Sequence, residues 1–252
     1  MPSSPASSSS SAPLPARCLG CGRGFETEQV VLLGQTFPAE RYCALCRATE
    51  EVVDEQRRAE ERWARVRVPS AYDGCTFETF EPAPGTETAL SVCQQWVKEY
   101  RAGTHLSRGL LLRGRPGAGK THLAVAMLRQ LVWSGHPRTA LFINVPQWLD
   151  ALRESYGEGE PPPAPSGFEI LVLDDLGAED SSTPWTRDRI YQILNYREQA
   201  RSLMIVTTNC SGGELAGRLG GPSASRLRKL CRDVEVEARQ DFREVLVERD
   251  AA

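Results

Sequence analysis

Apolar and polar residues fall in blocks along most of this chain, and the blocks change period in a regular order. Arg108-Gly-Leu-Leu-Leu-Arg113 is a short apolar run, and His122 to Trp133 follows it with helical character. Thr139 to Val145 is a second strand-like run. Pro146 then opens a helix over Gln147 to Tyr156, since proline is tolerated in a first helical turn. Gly157 to Gly167, rich in proline, reads as a loop. Ile170-Leu-Val-Leu is a third strand, and it ends in two acids, Asp174 and Asp175. Thr183 to Ala200 is a helix with Ile190, Ile193 and Leu194 as apolar positions. Leu203-Met-Ile-Val-Thr-Thr-Asn209 is a fourth strand, and Asp233 to Glu237 a fifth. Strands that are mostly apolar, not alternating, belong to a sheet buried on both faces. Their alternation with helices predicts an α/β domain with a parallel sheet and helices on both sides.

Upstream of Val68 the character changes. Met1 to Ala16 is mostly Ser, Pro and Ala, with too little apolar surface to offset its ordering entropy, so it is expected to be disordered. It lacks the basic start and apolar stretch of a secretory signal, and its first Arg is Arg17, which argues against a transit peptide. Arg47 to Arg67 is rich in Glu and Arg and free of Gly and Pro, the pattern of an exposed linking helix that Pro69 ends. The chain thus divides into a tail (1–16), a small module (17–47), a linker helix (48–68) and a large domain (69–252).

Composition narrows the function. With 30 Lys+Arg against 33 Asp+Glu the net charge is −3, so the chain does not coat nucleic acid by charge alone. No apolar run reaches the roughly 18 residues of a membrane-spanning helix. Without an export signal the expected compartment is the reducing cytoplasm, where structural disulfides are rare. That turns the eight cysteines towards metal. Cys18-x2-Cys21 and Cys43-x2-Cys46 are paired knuckles of the Zn²⁺-ribbon kind, with a spacer slightly longer than the commonest, about 15–20 residues. Two unrelated thiol pairs are the alternative. Cys75, Cys93, Cys210 and Cys231 stand singly, as small buried apolar residues do.

The large domain carries the chemistry. Gly114-Arg-Pro-Gly117-Ala118-Gly119-Lys120-Thr121 is G-x-x-x-x-G-K-T between a strand and a helix, the context a phosphate-binding loop requires. Backbone N–H groups from Gly114 through Gly117, Ala118 and Gly119 to His122 would surround phosphates, helped by the helix N-terminus. Lys120 would reach the β- and γ-phosphates of ATP, and the Thr121 hydroxyl would ligate Mg²⁺. Acids in a buried parallel strand belong at its C-terminal edge, where the ligand crevice lies. One of Asp174 and Asp175 would hold Mg²⁺ through water, and its neighbour would polarise the attacking water. Asn209, also at a strand end, would orient that water or sense the γ-phosphate. Its alternative role is to cap the next helix.

These residues resemble a known family. Val68-Pro69, Thr76-Phe77-Glu78-Thr79-Phe80, the loop Gly114 to Thr121, Leu171-Val-Leu-Asp-Asp-Leu-Gly177, Ile205-Val-Thr-Thr-Asn209 and Ser223-Ala-Ser-Arg226-Leu227 are similar to the AAA+ ATPases of the DnaC/DnaI helicase-loader and IstB-like group, from Val68 to about Arg243. The resemblance implies Walker A roles for Lys120 and Thr121, the Walker B metal acid for Asp174, and sensor 1 for Asn209. Asp175 stands where many such proteins have a catalytic Glu, which implies slow, switch-like hydrolysis. Arg226, with Arg218 as runner-up, matches the arginine finger that reaches a neighbouring subunit, and a surface helix arginine is the competing reading. The family also implies an abbreviated domain without a separate helical lid. Its partners would be a replicative DNA helicase and single-stranded DNA, in an ATP-dependent homo-oligomer or hetero-assembly, with no membrane. Arg101, Arg108, Arg129 and Arg138 are candidates for a DNA path. An IstB-like transposition helper acting on duplex DNA, a P-loop small-molecule kinase and a zinc-dependent adaptor with a degenerate nucleotide site are the rival readings.

Overall fold

The computed structural model describes residues 13–238, apart from 20, 33, 34, 105, 157, 158 and 180–182. Internal contacts divide the chain into two units, Met1–Arg58 and Ala59–Ala252.

In the first unit, β1 (Leu14–Arg17) pairs antiparallel with β2 (Gly24–Thr27), and β3 (Gln29–Leu32) with β4 (Gln35–Pro38). The expected disordered tail is therefore corrected at its end. Leu14 to Ala16 form a ladder with Phe25 to Thr27, because the turn at Cys18 folds the chain back on itself. That turn is held by Gly22 N–H donating to the Cys18 carbonyl at 2.9 Å. The rest of that tail, 1–12, lies outside the described residues. The apolar run Val30-Val31-Leu32 lies in β3, and Leu33 is outside the described residues. α1 (Ala44–Val66) is the anticipated helix, and it starts before Arg47. Its Val52 and Val53 are exposed, and its buried residues are Ala59 and Val66. Arg67 leaves the helix with φ 65°, two residues before Pro69.

The second unit is built on one five-stranded parallel sheet. Its strands are β5 (Gly109–Arg113), β6 (Ala140–Asn144), β7 (Ile170–Asp174), β8 (Leu203–Thr208) and β9 (Cys231–Glu235), in the order β6-β7-β8-β5-β9. The helices are α2 (Glu87–Arg101), α3 (Lys120–Trp133), α4 (Val145–Ser155), α5 (Pro184–Ala200), α6 (Gly212–Leu219) and α7 (Gly221–Leu230). Successive strand residues point to opposite faces, and each face has its own core. Leu110, Leu112, Val172 and Ile205 pack with Cys93 and Val97 of α2 and Leu123 and Met127 of α3. Leu111, Leu171, Leu173 and Val206 pack with Leu149 of α4, Ile190 and Leu194 of α5, Leu215 of α6 and Leu227 of α7. The parallel sheet covered on both faces is thus confirmed.

Two boundaries move for identifiable reasons. Val145 begins α4 because the Asn144 side chain caps it, accepting from Gln147 N–H at 3.3 Å. The fifth strand starts at Cys231 and ends at Glu235, since its register pairs Gly109 with Cys231 and Arg113 with Glu235, so it stops where β5 stops. α2 adds a helix ahead of the first of these strands, with Ala89, Cys93, Trp96 and Val97 buried. Cys93, Cys210 and Cys231 are buried, as anticipated, and Cys75 is half-buried. Among the described residues no helix is long and apolar enough to cross a membrane.

Candidate functional site

The loop Gly114 to Thr121 joins β5 to α3 on the C-terminal edge of the sheet. Two glycines there answer steric demands. A Cβ on Gly114 would lie 2.3 Å from the Val236 carbonyl oxygen. Gly119, the N-cap of α3, has φ 87°, a left-handed backbone that costs an L-residue about 1–2 kcal/mol. A Cβ on it would also meet Phe80 Cε2 at 2.6 Å. Ala118 is fully buried, and its N–H donates to the Arg115 carbonyl at 3.3 Å.

Lys120 is 5% exposed. Its ammonium donates to the Arg115 carbonyl at 2.8 Å and to Asn209 Oδ1 at 2.7 Å. The Asn209 amide group turns the other way and donates to Asp175 Oδ1 at 3.3 Å. One side chain at the end of β8 thereby ties the loop lysine to the second acid. Asn209 is not the cap of the next helix. Ser211 is, in a capping box with Glu214.

Asp174 is fully buried at the end of β7. Its Oδ1 accepts from Thr121 Oγ1 at 2.8 Å and from Thr207 Oγ1 at 2.7 Å. Burial pushes its carboxyl above the usual carboxylate range, the Thr207 and Thr121 hydroxyls pull it back, and the Asp175 charge adds to the rise. Its Oδ2 is enclosed and accepts no hydrogen bond. A buried carboxylate oxygen without a donor, beside a threonine hydroxyl, is a hard-oxygen set that fits Mg²⁺. Asp175 follows with φ 57° and half-buried. The predicted residues Lys120, Thr121, Asp174, Asp175 and Asn209 are therefore brought together in one hydrogen-bonded constellation.

His122 faces elsewhere. Its ring Nε2–H donates to the Thr76 carbonyl at 2.7 Å, and its ring meets Phe80 edge-on with centroids 5.2 Å apart. Burial lowers its pKa from the ordinary histidine value. The segment Thr76 to Phe80 thus packs on the phosphate loop, a role for which the sequence offered no local signal.

The arginine candidates are engaged within the chain. Arg226 packs over the Tyr191 ring at 4.6 Å, donates to Asn195 Oδ1 at 3.2 Å and pairs with Glu198 at 3.1 Å. Arg218 donates to the Gly177 carbonyl, just past the two acids. Of the candidate DNA-path residues, Arg108 donates to the Arg228 and Cys231 carbonyls. Arg129 stacks on Trp63 and Trp133 and donates to the Asp73 carbonyl. Arg101 and Arg138 are exposed.

In the first unit, the sulfurs of Cys18, Cys21, Cys43 and Cys46 all lie within 4.8 Å of one another. The Cys46 thiol is pushed up to about 12 by its thiol neighbours, Cys21 first. Cys21 and Cys43 sulfurs are 3.8 Å apart. Tetrahedral ligation with Zn–S bonds of about 2.3 Å puts sulfurs about 3.8 Å apart, so the residues fit Zn²⁺.

With this geometry in hand, the likeness to known proteins is specific. A family model described as IstB-like ATP binding protein matches residues 43–229. The replicative helicase loader DnaC of Escherichia coli strain K12 is 26% identical over 163 residues, which are 62% of this chain and 64% of that protein. The replicative helicase loader DnaI of Bacillus subtilis strain 168 is 25% identical over 193 residues, 74% of this chain and 60% of its own length. Both matches span less than two thirds of those relatives. A crystal structure of the DnaC helicase loader superposes with TM-score 0.56 at 26% identity, covering 67% of this chain and all of that one. AMPPCP-bound DnaA from Aquifex aeolicus, 19% identical, shares the fold with TM-score 0.57 over 72% of this chain and 56% of its own. The matched region is well over half of the sequence, so the chain belongs to the IstB-like ATP-binding protein family and carries the AAA+ P-loop ATPase fold of its DnaC relatives.

Proposed function

We propose that this protein is a cytoplasmic, nucleotide-controlled helicase loader that binds and hydrolyses ATP, and that engages a replicative DNA helicase and single-stranded DNA in one nucleotide state. The observation that carries this reading is the bridge Lys120–Asn209–Asp175 at the phosphate loop. A γ-phosphate arriving at Lys120 enters a hydrogen-bond chain that ends on the acid suited to polarise water. Lys120 neutralises phosphate charge, Asp175 accepts the proton of the attacking water, and Asn209 holds the two in register. Thr121 and Asp174 would hold Mg²⁺, which supplies charge neutralisation of the β- and γ-phosphates when bound. Cys18, Cys21, Cys43 and Cys46 would hold structural Zn²⁺, which staples a unit with few large buried apolar residues.

An arginine finger requires assembly, as a homo-oligomer or with the helicase. Arg226 would have to exchange its contacts with Tyr191, Asn195 and Glu198 for a neighbour's phosphate. Arg218 would have to release Gly177. Arg101 and Arg138 are the exposed residues of the proposed DNA path.

The family model favours a second reading, an IstB-like transposition helper with duplex DNA and a transposase as partners. The family assignment and the intact constellation leave the kinase and degenerate-site readings without support. The deciding experiment compares wild-type and Lys120→Ala protein in ATP hydrolysis and in co-purification with a replicative helicase, with and without ATP. Loss of hydrolysis in Lys120→Ala and nucleotide-dependent helicase capture by wild type are expected. Hydrolysis unchanged by Lys120→Ala overturns the ATPase site. Failure to capture the helicase in either state, with duplex DNA binding instead, favours the transposition reading.

A further inference from the structure

β7 and β8 run side by side in register as far as Leu173 and Val206. One residue later the two strands part, because the chain at Asp175 turns into the left-handed region with φ 57°. For a non-glycine residue that conformation needs support from its surroundings. The support comes from one residue. Thr207, fully buried, donates its hydroxyl proton to Asp174 Oδ1 at 2.7 Å. The Thr207 hydroxyl oxygen in turn accepts the Asp175 N–H at 2.9 Å. The Thr207 carbonyl accepts the Leu176 N–H at 2.9 Å. Three consecutive residues, Asp174 to Leu176, are thus fixed by one threonine.

Each of these bonds has a separate consequence. The first saturates Oδ1 of Asp174 together with Thr121, which leaves Oδ2 as the oxygen without a donor. The second and third hold the backbone turn that aims the Asp175 carboxylate at Asn209. Valine has nearly the same shape as threonine and none of these side-chain bonds. Serine keeps the hydroxyl and loses a methyl.

We propose that Thr207 is a positioning residue for hydrolysis, which presents one oxygen of Asp174 to the metal and sets the Asp175 carboxylate for water activation. This rests on the reading of Asp174 and Asp175 as the metal and water acids, so the test carries Asp175→Asn beside Thr207→Val and Thr207→Ser. Single-turnover hydrolysis at saturating ATP is measured together with the dissociation constant of a fluorescent ATP analogue in EDTA and across a Mg²⁺ titration, and with the thermal midpoint.

Thr207→Val is expected to lose about 10–100-fold in hydrolysis, the effect of one or two lost hydrogen bonds to charged or orphaned groups. Its affinity for the analogue in EDTA stays within about twofold, and the Mg²⁺ concentration that half-saturates the tightening of analogue binding rises several-fold. Thr207→Ser recovers most of both losses. A fold-wide defect would lower affinity in EDTA and hydrolysis together, and serine would not rescue it; that outcome overturns the proposal. So does hydrolysis and Mg²⁺ response at the wild-type level in Thr207→Val while Asp175→Asn is inactive. If Asp175→Asn hydrolyses like wild type, the assignment of the water acid fails, and the Mg²⁺ titration then decides whether Thr207 positions Asp174. An unshifted midpoint there overturns that part too.

Discussion

Alanine at Gly119 would put a methyl group where an aromatic ring already sits. The new Cβ would lie 2.6 Å from Phe80 Cε2 and 3.3 Å from Cζ. Phe80 is 7% exposed and packs in the core between the sheet, α2 and α3, so it cannot swing into solvent at no cost. Moving a ring against close-packed neighbours costs about 1–3 kcal/mol. The left-handed backbone at φ 87° adds about 1–2 kcal/mol for an L-residue. Gly119→Ala should therefore destabilise the protein by about 2–5 kcal/mol. The structure also predicts how that loss splits. Phe80→Ala alone costs about 3–5 kcal/mol, and it opens the space the methyl needs. In the double variant only the backbone strain remains on top, so the two losses fall short of additive by about 1–3 kcal/mol. Urea unfolding of the four proteins, followed by tryptophan fluorescence without nucleotide, measures each loss. Additivity within about 0.5 kcal/mol would show that Phe80 does not press on the loop, and the argument would fail. So would a Gly119→Ala protein as stable as wild type.

Asn209→Ala should lower hydrolysis about 100-fold, the scale of losing one preorganised polar contact in an active site. Calorimetric binding of a non-hydrolysable analogue should be no weaker than wild type, because Lys120 loses a competing acceptor; parallel loss of both would count against that. A chelating dye should release one zinc per chain from the purified protein and none from Cys43→Ser, with nucleotide binding retained in both. Purified wild-type protein without zinc would refute the four-thiol site. Arg197→Met should lower unfolding stability by about 3 kcal/mol, since the fully buried guanidinium serves the carbonyls of Phe168, Glu169 and Leu203. Burial lowers that group to about 10, which still leaves it charged at neutral pH, so a loss under about 0.5 kcal/mol would mean the carbonyls find other donors.

The sheet was legible because its strands are apolar on both sides, as at Ile170 to Leu173, and because Asp174, Asp175 and Asn209 could only sit at an edge. The phosphate loop was legible because a lysine and a threonine follow its glycines at fixed spacing. Other parts carry a quieter signal. Ala89, Cys93, Trp96 and Val97 recur at the period of a helix and are the buried residues of α2. Ser211 and Glu214 spell a capping box ahead of α6. The packing of Thr76 to Phe80 on the loop had none, because His122 meets Thr76 across 46 residues of chain and only the folded core brings them together. The arginines show the same limit from the other side. Arg226 was singled out only by the family resemblance, and its neighbours on α5 come from a contact between helices that the sequence does not encode locally.

The two cores of the second unit have a mechanical consequence. They meet through a layer one strand thick, whose alternate residues belong to one core and then the other, so the two faces are held by the same backbone. α3, which begins at Lys120, packs in one core, and α6, which follows Asn209 in the chain, packs in the other. The bond from Lys120 to Asn209 spans that seam. A displacement of α3 relative to the end of β8 would therefore change the Lys120–Asn209 distance.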